Sequence, residues 1–161
     1  MIEIRKAQES DFEAIWLIIQ PIVQAGETYS YDPDTTREQA RAIWMSENAN
    51  VYVACLAGEI VGTYSMRPNQ PGLGSHVANV GYMVKAGNEG KGIGKAMCEH
   101  SLTAARKASY AAMQFNLVVS TNEAAIALWQ KMGFTIVGTL PQAFRHHKLG
   151  LVDAYVMHRF L

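Results

Sequence analysis

The residues Glu89-Gly90-Lys91-Gly92-Ile93-Gly94-Lys95 follow the apolar run Val77-Ala78-Asn79-Val80-Gly81-Tyr82-Met83-Val84 and open a helix-forming stretch. A strand running through a glycine turn into a helix builds an anion site. Glycines let the backbone approach a ligand, and the first N–H groups of the helix have no partner within it. A phosphate-bearing cofactor is the expected ligand, and the spacing narrows which one. A Walker loop needs Gly-Lys followed by Ser or Thr, but Gly94-Lys95 precedes Ala96, and Glu89 stands where the first glycine belongs. A dinucleotide fingerprint, G-x-G-x-x-G, would start at Gly92 and Gly94 and ends on Met97 instead of glycine.

The turn needs a scaffold, and the rest of the chain supplies one. At 161 residues with 49% apolar content, it is expected to form a single domain over 1–161 with a sizeable core. Lys plus Arg and Asp plus Glu number 14 each, which leaves no basic surplus for nucleic acid and no polybasic anchor for a membrane. The N-terminus reads as a short strand, Ile2 to Lys6, rather than a signal segment, so a cytoplasmic location is expected. Cys55 and Cys98 lie far apart within a strand and a helix and read as buried reduced thiols. No His, Cys or carboxylate cluster has metal spacing, so no metal is expected.

Helical periodicity from Phe12 to Val23 follows Ser10-Asp11-Phe12-Glu13, read as a capping box; Pro21 is expected to kink or end that helix near its last turn, with a loop from Ala25 to Pro33. Thr35-Thr36-Arg37-Glu38 caps a second helix carrying Ala40, Ile43 and Trp44. Val51–Leu56 and Ile60–Met66 form a hairpin about Ala57-Gly58-Glu59. After the informative strand, a third helix runs from about Gly92 to Ala108 and a strand from Met113 to Val119. Asn122 then caps a short helix that ends at Gly133. Phe134–Leu140 and Leu151–Phe160 are the last strands, joined by a basic loop, Arg145-His146-His147-Lys148. The order β-α-α-β-β-β-α-β-α-β-β is an α+β fold with a mixed sheet and about four helices.

The x-x-G-x-G turn, that element order, and the block Asn122-Glu123-Ala124-Ala125-Ile126-Ala127-Leu128-Trp129-Gln130-Lys131-Met132-Gly133-Phe134 together resemble the GNAT superfamily of acyl-CoA N-acyltransferases over nearly the whole chain. The resemblance implies a mixed, mostly antiparallel sheet and acetyl-CoA as co-substrate. It implies cofactor contacts from Met83, Val84, Lys91, Gly92, Ile93, Gly94, Lys95, Asn122 and Trp129. Two positions depart from the family pattern. Trp129 stands where relatives often have a tyrosine that protonates the leaving thiolate, and an indole N–H cannot do this. Glu89 stands where relatives have Arg or Gln; it is expected to point into solvent, with Lys91 and Lys95 offsetting its charge.

Phosphinothricin-type relatives place a glutamate base where this chain has Asn79, whose amide is not basic. Asn79 and Asn122, with the W-x-x-x-G-F stretch from Trp129 to Phe134 and the late Leu151-Val152-Asp153-Ala154, resemble a narrower group, the N-acetyltransferases of proline analogues such as azetidine-2-carboxylate. Both asparagines are therefore the candidate catalytic residues. The loop between the first two helices lines the acceptor pocket in the superfamily. In that loop Glu27 is a candidate for binding an ammonium and Tyr29 or Tyr31 for walling the pocket, the alternative being a solvated Glu with aromatics over the sheet edge. Arg67, after the third strand, is a candidate partner for a carboxylate, and Asn79 for orienting the amine. Arg145, His146, His147 and His76 are weaker candidates, each with a surface role as the simpler reading. Neither cysteine has a histidine neighbour in sequence, so direct attack is expected rather than an acyl-enzyme.

The expected activity is acetyl-CoA-dependent N-acetylation of a small amine, an amino acid or a toxic analogue. The alternatives are a non-catalytic coenzyme A-binding or sensing module and a protein or peptide N-acetyltransferase. The closing strand Leu151–Phe160 is apolar on both faces, and related enzymes are often homodimers. A symmetric homodimer through residues 135–160 is expected.

Overall fold

Seven strands form one sheet; the structure, a computed structural model, describes residues 1–161. The strands are β1 (Ile2–Lys6), β2 (Asn50–Leu56), β3 (Glu59–Pro68), β4 (Val77–Val84), β5 (Ala112–Val119), β6 (Thr135–His146) and β7 (Gly150–Phe160), in the order β1-β2-β3-β4-β5-β7-β6. Only β4 and β5 pair in parallel. Four helices cover the sheet: α1 (Phe12–Ala25), α2 (Arg37–Trp44), α3 (Ile93–Lys107) and α4 (Glu123–Lys131). The mixed, mostly antiparallel α+β architecture is the one expected. None of these helices is long and apolar enough to cross a membrane.

Two cores result, because successive strand residues face opposite ways. Val53 joins Phe12, Ile15, Ile19, Ala40 and Trp44 beneath α1 and α2. Its neighbour Ala54 joins Ile93, Met97, Cys98 and Leu102 of α3 in the other core. Gly62 brings α3 close to the sheet, since a Cβ there would lie 2.9 Å from Ile93 Cγ2. Both cysteines are free, Cys98 buried and Cys55 half-buried.

Two local expectations need correction, the cap of the first helix and the end of the sixth strand. The first helix is preceded by a 3-10 turn, Glu9–Asp11, and the carboxylate that accepts a backbone N–H is Asp11, from Gln8 at 2.7 Å, rather than a Ser10 cap. Pro21 lies one turn before the end of α1, which runs to Ala25 and stops at Gly26 in the left-handed region, close to the end expected from its helical spacing. The carbonyl deprived of its partner belongs to Leu17, 62% exposed and open to water, while Ile15, Ile18, Ile19 and Val23 hold the buried face. β6 runs past Leu140 to His146, so Arg145 and His146 are strand residues. A bulge between Leu140 and Phe144 absorbs Pro141, and Asp153 Oδ1 accepts the N–H of Gln142, whose φ is +51°. β7 lies between β5 and β6, and β6 is one of the sheet's two edge strands and largely exposed.

Candidate active site

β4 and β5 pair over only three rungs, ending at Asn79 opposite Gln114. Beyond that rung the two strands part. A bulge on β5 accompanies the parting: its register with β7 shifts between Phe115 and Val118, which drops Asn116 and Leu117 from the ladder. A bulge bends its strand and re-aims its side chains. The gap becomes a cleft of about 910 Å³, floored by β4 and β5 and walled by the α1–α2 loop, the glycine turn and α4. Asn79 Nδ2 donates to the Gln114 carbonyl at 3.1 Å, so the apex is tied by a side chain as well as by the ladder.

At the far end of β4, Gly90 and Gly92 hold φ of +74° and +78°, and a Cβ on either would meet nothing within 4 Å. Gly92 is the N-cap of α3 and offers no side-chain acceptor. The first N–H groups of α3 are therefore left for a ligand at an open, glycine-lined turn. Gly94 has a different reason to be glycine: its Cβ would sit 3.3 Å from Leu128 Cδ2, so it lets α3 approach α4. Met83, Val84, Gly92, Ile93, Gly94 and Lys95 all reach the cleft wall. Lys91 does not; its Nζ donates to Asn88 Oδ1 at 2.8 Å. Glu89 is exposed at the rim, where its Oε1 accepts the Gly87 N–H at 3.2 Å. Free N–H groups, backbone that can be approached closely and a lysine suit a diphosphate.

Asn122 and Trp129 form part of the α4 wall. Asn122 Oδ1 accepts the Ala125 N–H at 3.4 Å as the cap of α4, which leaves its NH2 group uncommitted. Trp129 stacks among Tyr82 and Phe115, with ring centroids 4.9 and 5.0 Å away. It serves at once as core packing and cleft wall.

The other end of the cleft collects Tyr29, Tyr31, Trp44, Ser65, Arg67 and Asn79. Arg67 stands opposite Asn79 in the β3–β4 ladder. Its Nη2 donates to the Ile43 carbonyl and to Ser65 Oγ, each at 3.0 Å, and no carboxylate pairs with it. Tyr29 donates its hydroxyl to the Tyr82 carbonyl at 2.8 Å, and burial pushes the phenol well above its ordinary pKa. Gly81 makes room for it, since a Cβ there would lie 3.0 Å from the Tyr29 hydroxyl. Burial raises Tyr31 as well.

Glu27 is not brought to the cleft. Its Oε1 pairs with Lys148 Nζ at 2.8 Å, and this contact holds the carboxyl below its usual range. The β6–β7 turn thereby clasps the α1–α2 loop, aided by the His147 N–H donating to the Gly26 carbonyl at 2.9 Å. His146 is buried and its Nδ1 accepts the N–H groups of Lys148 and Leu149, so it shapes that turn. His76 and Arg145 are exposed and lie off the wall. Cys98 also lies off it, and burial pushes its thiol up to about 11, which keeps it unreactive. Asn116, Ser65 and Trp44 were missed in sequence. Asn116 carried a signal, a short amide inside the apolar run Met113–Val119. Its Nδ2 donates to Asn69 Oδ1 at 2.7 Å and its Oδ1 accepts from Gln114 Nε2 at 3.0 Å.

The sequence profile of the acetyltransferase (GNAT) family matches residues 4–134. The chain is 31% identical to an L-amino acid N-acetyltransferase of Escherichia coli, over 98% of this chain and 97% of that one. A GCN5-related N-acetyltransferase from Kribbella flavida superposes with a TM-score of 0.95 at 44% identity, covering 99% and 98% of the two chains. An acetyltransferase from Salmonella typhimurium, solved with its cofactor acetyl-CoA, shares the fold at a TM-score of 0.84 and 24% identity, over 100% and 94% of the chains. A profile spanning most of the chain thus coincides with a glycine-lined helix N-terminus where two parallel strands part, and the protein belongs to the GNAT family as an acetyl-CoA-dependent N-acetyltransferase.

Proposed function

We propose that the acceptor is a small amino acid, acetylated on its amine at the apex of the cleft by direct attack on the acetyl-CoA thioester. The observation that carries this reading is Arg67. It is a guanidinium on the cleft wall without a carboxylate partner, one ladder position across from Asn79. A guanidinium in that setting recognises a carboxylate in a two-pronged fashion. The name of the Escherichia coli relative, an L-amino acid N-acetyltransferase, supports the same class.

In this reading the acceptor carboxylate binds Arg67, and its amine lies beside Asn79, whose free Oδ1 orients the nitrogen lone pair toward the thioester. The α3 N-terminus with Gly92, Gly94 and Lys95 receives the pyrophosphate. Asn122 and Trp129 border the pantetheine arm, and a backbone N–H of β4 near Met83 polarises the thioester carbonyl. That edge of β4 has no ladder partner beyond Asn79, so such a donor is available. A thiol-release screen of acetyl-CoA with cyclic and acyclic amino acids, azetidine-2-carboxylate included, tests the reading. Turnover is expected with amino acids and sharply less with the corresponding decarboxylated amines. Equal turnover of both would remove Arg67 as the carboxylate site.

A further inference from the structure

The acceptor end of the cleft is built from groups that do not take up a proton near neutral pH. Asn79 and Asn116 are amides, Ser65 is a hydroxyl that accepts from Arg67, and the Arg67 guanidinium offers only donors. The α1–α2 loop contributes the Tyr29 and Tyr31 phenols, both raised by burial. β4 adds Tyr82, whose hydroxyl is engaged by Ser101 at 2.7 Å beneath the cleft and is likewise raised. α4 contributes only Asn122 and apolar side chains. The one carboxylate on the wall, Glu89, and the one lysine, Lys95, sit at the glycine turn at the opposite end of β4. Of the neighbouring acids, Glu27 is paired with Lys148, and the exposed Asp32 accepts the Asp34 N–H at 2.9 Å.

We infer that no side chain of this enzyme takes the proton from the acceptor: the neutral amine is the form that enters the apex, and the acceptor's own basicity sets the pH dependence of acetyl transfer. This rests on the acceptor reading above. The chemistry balances without an enzyme base. The lone pair of the neutral amine forms the C–N bond and the C–S bond breaks. One N–H proton then passes through water to the departing thiolate, giving an amide and free coenzyme A. A positive guanidinium beside the apex favours the same outcome, because it disfavours a second cation there until the carboxylate has arrived. At a given pH the enzyme therefore favours the less basic of two acceptors of similar shape.

The test uses the wild-type protein with two pairs, alanine and its β-fluorinated analogue, and leucine and hexafluoroleucine. In each pair fluorine lowers the basicity of the amine through induction. Measured by thiol release, kcat/KM should climb with pH along a limb that moves with each amine. At pH 7 the fluorinated member should be about threefold to tenfold faster, the gain in neutral fraction outweighing the loss of nucleophilicity. Calorimetry with free coenzyme A and alanine, in buffers of different ionisation enthalpy, should show about one proton released per acceptor bound. A single limb shared by all four acceptors, with no proton released, would assign the base to the enzyme and overturn the inference while leaving the acceptor class standing. Neither turnover nor binding heat with any of the four would remove both.

Discussion

The amide of Asn79 holds the carbonyl of Gln114 at 3.1 Å, on the last rung before β4 and β5 separate. The residue proposed to orient the nucleophile is thus also the tie that fixes where the cleft begins. Asn79→Ala removes both functions, and turnover should fall by about a hundredfold or more while calorimetry still shows acetyl-CoA binding. Asn79→Asp is more informative. Its carboxylate cannot donate to the Gln114 carbonyl and would stand across the ladder from the unpaired Arg67 guanidinium, so it should compete with the acceptor carboxylate and raise KM for an amino acid about tenfold. Steady-state kinetics of this variant with alanine would show the rise, and an unchanged KM would place the acceptor carboxylate away from Arg67. Wild-type turnover in Asn79→Ala would end the catalytic assignment.

Gly94 marks the cofactor end. Gly94→Asp brings a carboxylate to the first turn of α3 beside the expected pyrophosphate and pushes Leu128 Cδ2, 3.3 Å from the new Cβ. Acetyl-CoA affinity should drop at least about tenfold through charge alone. Leu128 can rotate away, so the thermal midpoint should move little. Unchanged affinity in a folded variant would displace the pyrophosphate from this turn.

Trp129 offers a flat wall and no proton. Trp129→Phe keeps an aromatic surface against Tyr82 and Phe115, so kcat should stay within a few-fold of wild type, with about 1 kcal/mol lost from packing. A large fall in kcat with intact stability would show that the indole takes part in the chemistry.

Arg5 and Asp11 give a stability prediction away from the site. Two hydrogen bonds, at 2.7 and 2.9 Å, hold the Asp11 carboxyl below its ordinary pKa, with the Gln8 N–H as a third donor. The stabilisation is present above the unfolded carboxylate value, about 4, and is lost as pH falls through the lower folded value. Arg5 is 39% exposed, so screening keeps the effect modest. Asp11→Asn should cost about 1–2 kcal/mol at neutral pH and flatten the acid limb of stability.

Assembly is the last expectation open to measurement. The exposed apolar side chains Ile136, Val137, Leu140, Leu149 and Leu151 lie on β6, β7 and their turn, at the sheet edge. A symmetric dimer through this edge would cover them and leave the clasp on the α1–α2 loop near the partner. Light scattering at micromolar concentration should give twice the 17.8 kDa chain mass. A monomer would exclude the dimer.

The sequence by itself determined the local devices. Gly90, Gly92 and Asn122 act through the conformation of a few adjacent residues, so their turn and cap were legible, and the order of strands and helices followed from hydrophobic period. It did not place the end of β6, because a bulge lets an edge strand pass Pro141. Tertiary structure alone decided who meets at the apex. Asn79 on β4 and Gln114 on β5 lie 35 residues apart, and they and Asn116 are brought together by a three-rung parallel pairing and a β5 bulge that no short-range pattern announces. Glu27 was withdrawn from the acceptor site in the same way. Its partner Lys148 reaches it only because the β6–β7 turn folds back over the loop after α1, and a long-range contact of that kind depends on the assembled sheet.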